Sequence, residues 1–225
     1  MLIRAIRTVR YAIKLLKLAG PEVFIRQFMR QIYSRDTLIS LEKDLDTGGS
    51  QISSKIPYHL QRLSEGDLAE IFYNVKTRPK REIIELVQRE WYYQCGFLDG
   101  YVARTIDSQK PCCLAWLVSA DGEDFVSKGF KDRLPGLKKD EIILANLYTY
   151  ENYRGKNLMP SVVNELCSIV KKRGFRRIIA YVRKDNTASL RLFEKLGFRK
   201  FEETPELKFL FYTRRKFHRP KPGNN

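Results

Sequence analysis

The chain has 225 residues, of which 43% are hydrophobic and 30% charged, the composition of a soluble globular protein with one substantial core and an appendage. Its formal net charge of +16 favours acidic partners such as a nucleotide cofactor, an anionic substrate, nucleic acid or an anionic membrane face. No apolar stretch is long enough to span a bilayer, and an N-terminus with arginines throughout its apolar segment and no small-residue cleavage site is not that of a secretory signal.

Three regions and a tail are predicted along the chain. Residues 1–45 are expected to form a basic helical arm, and residues 46–55 a polar Gly/Ser linker. Residues 56–215 are expected to form the main domain, and residues 216–225 a basic tail.

The arm begins with a pattern typical of a basic amphipathic helix, which Gly20-Pro21 ends before a second helical segment. The apolar stripe of the first helix is Leu2, Ile6, Val9, Ile13 and Leu16, its basic residues are Arg4, Arg7, Arg10, Lys14 and Lys17, and the second stripe is Phe24, Phe28 and Ile32. Such a helix can lie in an anionic membrane interface. The alternative is that the stripe packs on the main domain or on a second subunit of a homodimer.

The main domain shows alternating strand and helix patterns. A strand is predicted over Ile56–Leu63, a helix start at Ser64 and Asp67, a longer helix from Pro79 to Gly96, a hairpin of Tyr101–Ile106 and Cys112–Val118, a polar loop over residues 119–140, and closing strands at Phe198–Glu202 and Lys208–Thr213. The four cysteines form no CxxC pair and no metal-ligand grouping, so they are interpreted as small buried residues in a reducing compartment.

Between the loop and the closing strands lies a βαβ pattern. An apolar run, Ile142–Tyr150, meets the turn Glu151–Lys156, a helical pattern follows and stops at Gly174, and a second apolar run covers Ile178–Val182. The two strands should be parallel neighbours. The turn feeds a helix N-terminus, where free backbone N–H groups favour a phosphate-bearing ligand.

Two motifs in this part of the chain resemble the GNAT superfamily of acyl-CoA-dependent N-acyltransferases. YENYRGKNLM, Tyr150–Met159, is similar to the family's pyrophosphate loop, and DNTASLRLFEKLGF, Asp185–Phe198, to its last helix and closing Gly-Phe pair. The resemblance covers about residues 56–213 as a fold and 141–198 as motifs. It implies an α/β (α+β) fold with a mixed, mostly antiparallel sheet that is splayed at a central parallel strand pair.

The resemblance also implies acetyl-CoA as the cofactor. The expected pyrophosphate loop is Arg154, Gly155, Lys156, Asn157, Leu158 and Met159; the residues expected beside the pantetheine arm are Leu147, Tyr148, Thr149, Asn186 and Phe193; and the basic set Arg183, Lys184 and Arg191 meets the 3′-phosphate or is a solvated face. The alternative role of Asn186 is helix capping, and that of Phe193 is core packing. Asn157 and Met159 depart from the small residues usual in this loop, and Phe193 replaces the tyrosine that many members use as general acid.

Acyl transfer to an amine also needs a proton acceptor, and the best candidate is Glu141, which lies 13 residues before Arg154. Its alternative role is a structural carboxylate at a strand end. The leading function is N-acetyl transfer to an amine, such as an anionic amino sugar, in the cytoplasm or at the inner membrane face. The alternatives are acetylation of a protein amine and a weakened acyl-CoA-binding or membrane-docking module; nucleic-acid binding ranks low because no helix-turn-helix or RNP signature is present.

Overall fold

The computed structural model describes residues 2–47, 52–73, 75, 78–119, 137–209 and 212–215. Within these ranges the helices are α1 Leu2–Ala19, α2 Pro21–Ile32, α3 Glu65–Tyr73, α4 Lys80–Gln94, α5 Leu158–Lys172 and α6 Thr187–Lys195. The strands are β1 Tyr33–Asp44, β2 Tyr58–Arg62, β3 Gly100–Thr105, β4 Pro111–Ser119, β5 Glu141–Thr149, β6 Arg177–Arg183, β7 Arg199–Phe209 and β8 Tyr212–Arg215.

The described strands form one sheet of eight in the order β2-β3-β4-β5-β6-β1-β7-β8. Only β5 and β6 are parallel within it, because α5 returns the chain to the same end of the sheet. The predicted mixed, mostly antiparallel sheet is confirmed. The parallel pairing is short and joins Glu141–Ile143 to Arg177–Ile179, after which the two strands part.

Side chains alternate between the two faces of the sheet and build a core on each. On one face Ile142 and Leu144 of β5 pack with residues of α5 and α6. On the other face Ile143 and Tyr148 pack with residues of α3 and α4. The sheet therefore separates the helices that follow β5 from those that precede β3. The four cysteines are buried, as predicted.

Local signals set the helix ends where the sequence predicts them. Ser64 and Asp67 form a capping box, in which the Ser64 N–H donates to Asp67 Oδ2 at 2.8 Å and the Asp67 N–H donates to Ser64 Oγ at 3.2 Å. After α6, Gly197 has a φ of +79°, and the Phe198 N–H donates back to Phe193 O at 3.0 Å. This is the glycine-ended helix predicted at Gly197.

The prediction of a helical arm over residues 1–45 is wrong from Tyr33 onward. Residues 33–44 form β1, which lies inside the sheet and is antiparallel to both β6 and β7. Leu38, Ile39 and Leu41 of this strand are buried. Four successive residues, Leu38–Leu41, are buried although a strand turns successive side chains to opposite faces, so the segment is covered on both faces of the sheet and paired on both of its edges. A chain that began at residue 46 would lack an interior strand.

The segment after β1 is not a free tether where the structure describes it. The Lys171 ammonium of α5 donates to Leu45 O at 2.9 Å, and the Lys55 N–H donates to Lys156 O at 2.9 Å. Leu45 therefore lies at the C-terminal end of α5, and Lys55 at the loop before its N-terminus. Residues 48–51 of the predicted linker, residues 120–136 of the predicted loop, and the predicted tail 216–225 lie outside the described residues. The first closing strand is longer than predicted and the second lies slightly later.

Helix α1 packs on α4 with a face other than the predicted stripe. Leu15 and Ala19 are buried with Ile83 and Val87 of α4. The predicted stripe faces away from them: Val9 is 56%, Ile13 47% and Leu16 41% exposed. The alternative in which this stripe packs on the main domain is therefore wrong for these three residues. None of the described helices has the length and apolar character that crossing a bilayer would require.

Candidate active site

A gap opens in the sheet where β5 and β6 part. Among the described strands, β5 beyond Ile143 pairs with β4 alone, with Cys113 opposite Thr149 and Leu114 opposite Tyr148. Within the same set, β6 beyond Ile179 pairs with β1 alone, with Leu38 opposite Arg183. The structure thus places Leu147, Tyr148 and Thr149 on the β5 side of the gap.

The loop predicted to bind pyrophosphate directly follows β5. After β5 the chain makes a short 3₁₀ turn, Glu151–Tyr153, and reaches α5 through Arg154 and Gly155. Gly155 has a φ of +73° and Asn157 a φ of +54°, so the loop bends twice through the left-handed region. Asparagine tolerates that region better than most residues, which explains its place before α5.

This loop presents backbone donors. The N–H groups of Gly155, Lys156, Leu158 and Met159 find no hydrogen-bond partner in the part of the chain that the structure describes. Pro160 has no N–H, so it leaves no further donor in the first turn of α5. Free donors at the positive end of a helix suit an anion such as a pyrophosphate.

Two side chains of the loop turn away from these donors. Arg154 folds back on the end of β5, where its Nε donates to Thr149 O at 3.1 Å and its Nη1 lies 3.3 Å from Glu151 Oε1. Met159 is 8% exposed and packs in the core on the α5 face. Although methionine is larger than the small residues usual at this position, its side chain lies in the core and does not crowd the loop.

The residues of the second motif keep mainly structural partners. Asn186 Oδ1 accepts the Ser189 N–H at 3.1 Å and so caps α6. Phe193 is buried, with its ring centroid 4.8 Å from that of Phe198, so it packs in the core. Both alternatives named for these residues are thus present. Of the basic set, Arg183 pairs with Asp36 at 3.1 Å and with Asp185 at 2.6 Å, Lys184 pairs with Glu203 at 3.2 Å, and Arg191 is exposed.

Glu141 lies apart from the loop. It is the first residue of β5 and sits at the closed end of the β5–β6 pair, opposite Arg177. Its carboxylate is buried, accepts the Lys138 N–H at 3.0 Å and lies 3.5 Å from Arg177 Nη1. Leu147 is six residues farther along the strand, about 20 Å away at 3.3 Å per residue. Glu141 and the residues that border the gap therefore lie at opposite ends of β5.

Sequence reasoning missed a distortion in β5 and the arginine beside it. The β4–β5 register shifts between Leu114 and Trp116, and Asn146 has a φ of +57°, which marks a β-bulge. Arg89 of α4 lies against this bulge and is only 5% exposed. The sequence does contain one sign that Arg89 is buried, since it lies in the apolar stripe of α4, three residues after Leu86.

Two phenols lie near the same end of β5. Tyr148 is 5% and Tyr150 4% exposed, and neither hydroxyl has a hydrogen-bond partner among the described residues. Burial raises the pKa of both phenols, so both stay protonated at neutral pH. The Arg89 guanidinium lies 4.5 Å from the Tyr148 ring centroid and that of Arg78 lies 5.2 Å from the Tyr150 ring centroid. Unpaired buried donors of this kind mark a place where a polar ligand can bind.

Comparison with known proteins adds the family. A model of the acetyltransferase (GNAT) family matches residues 80–198, which is more than half of the chain. No curated protein matches the chain.

Solved structures share the fold at low sequence identity. A GCN5-related glucosamine N-acetyltransferase region of a fungal multi-domain GH3 β-N-acetylglucosaminidase has a TM-score of 0.58 at 13% identity, over 84% of this chain and 23% of that one. A Drosophila protein has a TM-score of 0.52 at 11% identity, over 84% of this chain and 56% of that one. A GNAT acetyltransferase from Colwellia psychrerythraea has a TM-score of 0.50 at 9% identity, over 83% and 62%. The match thus spans less than two thirds of each of these chains.

The left-handed turn at Gly155 gives a direct test of the loop. Gly155→Val should abolish or strongly weaken CoA binding measured by calorimetry, because a β-branched residue cannot hold a φ of +73° and the donors of the loop will turn. The matched control is Gly174→Val at the other end of α5, where φ is +89° and, as at Gly155, no atom lies within 4 Å of an added Cβ. Both variants should lose roughly 1–2 kcal/mol of stability. Equal CoA affinity in the two variants would place the cofactor elsewhere.

Proposed function

The chain belongs to the acetyltransferase (GNAT) family, and we propose that it transfers an acetyl group from acetyl-CoA to an amine. The observation that carries this proposal is the set of N–H groups of Gly155, Lys156, Leu158 and Met159, which have no hydrogen-bond partner among the described residues. They lie at the N-terminus of α5, directly after the strand that borders the gap. These donors fit a pyrophosphate, and the gap beside Leu147–Thr149 fits an extended arm that reaches into the sheet.

The reaction makes limited demands on the chain. Acetyl-CoA supplies the activated acetyl group, and the amine nitrogen bonds to its carbonyl carbon as the C–S bond breaks. The loop donors fix the pyrophosphate, and the backbone of β5 orients the acetyl end and offers an N–H to the developing oxyanion. The amine proton passes to water or to a group other than Glu141, which is held in its ion pair with Arg177.

For the acceptor we propose a small anionic amine, such as a nucleotide-linked or polysaccharide amino sugar. The support is the net charge of +16, which raises the local concentration of anionic molecules near the protein. The second candidate is a free amine of a protein.

Amine-dependent thiol release tests the function. Full-length protein with acetyl-CoA is offered amino sugars, polyamines and peptides with free amines, and free CoA is measured with a thiol reagent. We expect release with amino sugars carrying phosphate or nucleotide groups. Release only with peptides would make the protein-amine candidate correct. CoA binding without release for any amine would make the chain a binding module.

A substitution at Glu141 separates a base from a structural carboxylate. Glu141→Gln should keep turnover near that of the wild type and lower the unfolding temperature, because the buried carboxylate loses its contact with Arg177. The matched control, Glu42→Gln, removes the other carboxylate near Arg177, at 3.2 Å, and should also leave turnover unchanged. A fall in turnover of about 10²–10⁴-fold in Glu141→Gln alone would assign the base to Glu141.

We also propose that α1 and α2 dock the enzyme on an anionic phospholipid surface. Besides Val9, Ile13 and Leu16 of α1, the exposed large apolar side chains include Ile25, Phe28 and Met29 of α2. The exposed basic residues on these helices include Arg10, Lys17 and Arg26, and α1 has no acidic residue. Apolar side chains allow shallow burial in the interface, and each basic residue near anionic lipid contributes about 1 kcal/mol. The helices would hold the catalytic domain rigidly against the surface, since α1 is packed on α4.

Vesicle sedimentation with point variants tests the docking, because removal of residues 1–45 would also remove β1. Wild-type protein should sediment with phosphatidylglycerol vesicles at low salt, less at high salt, and little with phosphatidylcholine vesicles. Ile13→Glu should weaken sedimentation. Ile106→Glu, at an equally exposed isoleucine in the β3–β4 turn, should not. Wild-type protein that stays in the supernatant with anionic vesicles would show that the face does not bind membranes.

A further inference from the structure

The bulge in β5 is held by one buried side chain from the neighbouring helix. Arg89 Nε donates to Asn146 O at 3.3 Å, and Arg89 Nη2 donates to Leu147 O at 2.9 Å. On the helix side, Arg89 Nη1 donates to Glu85 O at 2.8 Å and to Glu85 Oε2 at 2.7 Å. The guanidinium therefore joins α4 to two successive peptide units of β5.

Those two contacts define the conformation of the strand. In a regular strand successive carbonyl groups point to opposite sides, so a single group cannot bond both. Here the left-handed backbone of Asn146 turns both carbonyls toward Arg89. Because the C=O and N–H of a trans peptide point in opposite directions, the N–H groups of Leu147 and Tyr148 are fixed by the same contacts.

We propose that Arg89 is a positioning residue for acetyl transfer, which holds the bulge at Asn146 and Leu147 and so fixes the backbone of β5 where the acetyl group and the amine meet. This inference rests on the proposed function, and it concerns the reacting end of the site rather than the cofactor loop. Arg89 acts through the backbone of β5.

Three features of the surroundings distinguish this role from ordinary core packing. An apolar side chain would fill the same space without the cost of burying a guanidinium. Asn146 interrupts β5 with a left-handed backbone, and bulges of this kind are frequent next to active sites. Near Arg89, the side-chain nitrogen of Asn146 and the hydroxyl of Tyr148 are buried without hydrogen-bond partners among the described residues. These two groups are therefore available to a polar ligand.

The experiment compares Arg89→Lys and Arg89→Met with Arg81→Met, which removes an exposed arginine from the same helix. Turnover with the best amine of the acceptor screen should fall about 10²-fold in Arg89→Met, the effect expected when the reacting groups are misplaced by about 1 Å. Arg89→Lys should not restore it, because an ammonium lacks the fork that reaches two carbonyls. CoA affinity by calorimetry should stay within a few-fold, since the loop donors are untouched, and Arg81→Met should match the wild type.

Two further readouts make the result decisive. Guanidinium ion added at millimolar concentration should raise the turnover of a third variant, Arg89→Ala, which leaves the space of the guanidinium empty, but not that of Arg81→Met. Hydrogen exchange over residues 145–149 should be faster in Arg89→Met alone, a measurement that needs no activity and so stands even if the proposed function fails. Turnover unchanged in a folded Arg89→Met, or a parallel loss of turnover, CoA affinity and unfolding temperature without rescue, would overturn the proposal.

Discussion

The parting of β5 and β6 after three residue pairs is the constraint on which the candidate site depends. A parallel pair that continued would close its own hydrogen bonds and leave no backbone groups for a ligand. Two features keep the strands apart. The bulge at Asn146 changes the direction of β5, and α5 begins directly after the loop that follows this strand. The gap and the free donors of Gly155–Met159 thus come from one connected run of chain.

Where β5 and β6 part, each strand has one edge that is unpaired among the described strands. Each is held in place by a strand that pairs with its other edge. β4 pairs with β5 as far as Thr149. β1 pairs with every residue of β6, from Arg177 to Arg183. The N-terminal segment is therefore part of the site's architecture although the family model begins only at residue 80. This explains why residues 33–44 are an interior strand rather than part of an appended arm.

Much of this architecture could be predicted from the sequence because it rests on local signals. The βαβ order, the left-handed turn and the capping box are all encoded in short spacings. The strand β1 was missed because no glycine or proline separates Ile32 from Tyr33, so the helical pattern seemed to continue. Arg89 was missed for another reason. Its contact with β5 depends on which helix faces this strand, and spacing along the chain does not carry that information.

Helix α4 connects the proposed docking face to the reacting end of the site. One side of α4 receives α1 through Leu15 and through an ion pair between Lys14 and Glu90. The preceding residue of α4, Arg89, contacts the bulge of β5 instead. Because the core is close-packed, a shift of α4 moves the guanidinium and the two carbonyls that it holds. Helix α4 thus contacts both α1, which carries part of the proposed docking face, and the strand whose backbone would orient the acetyl group.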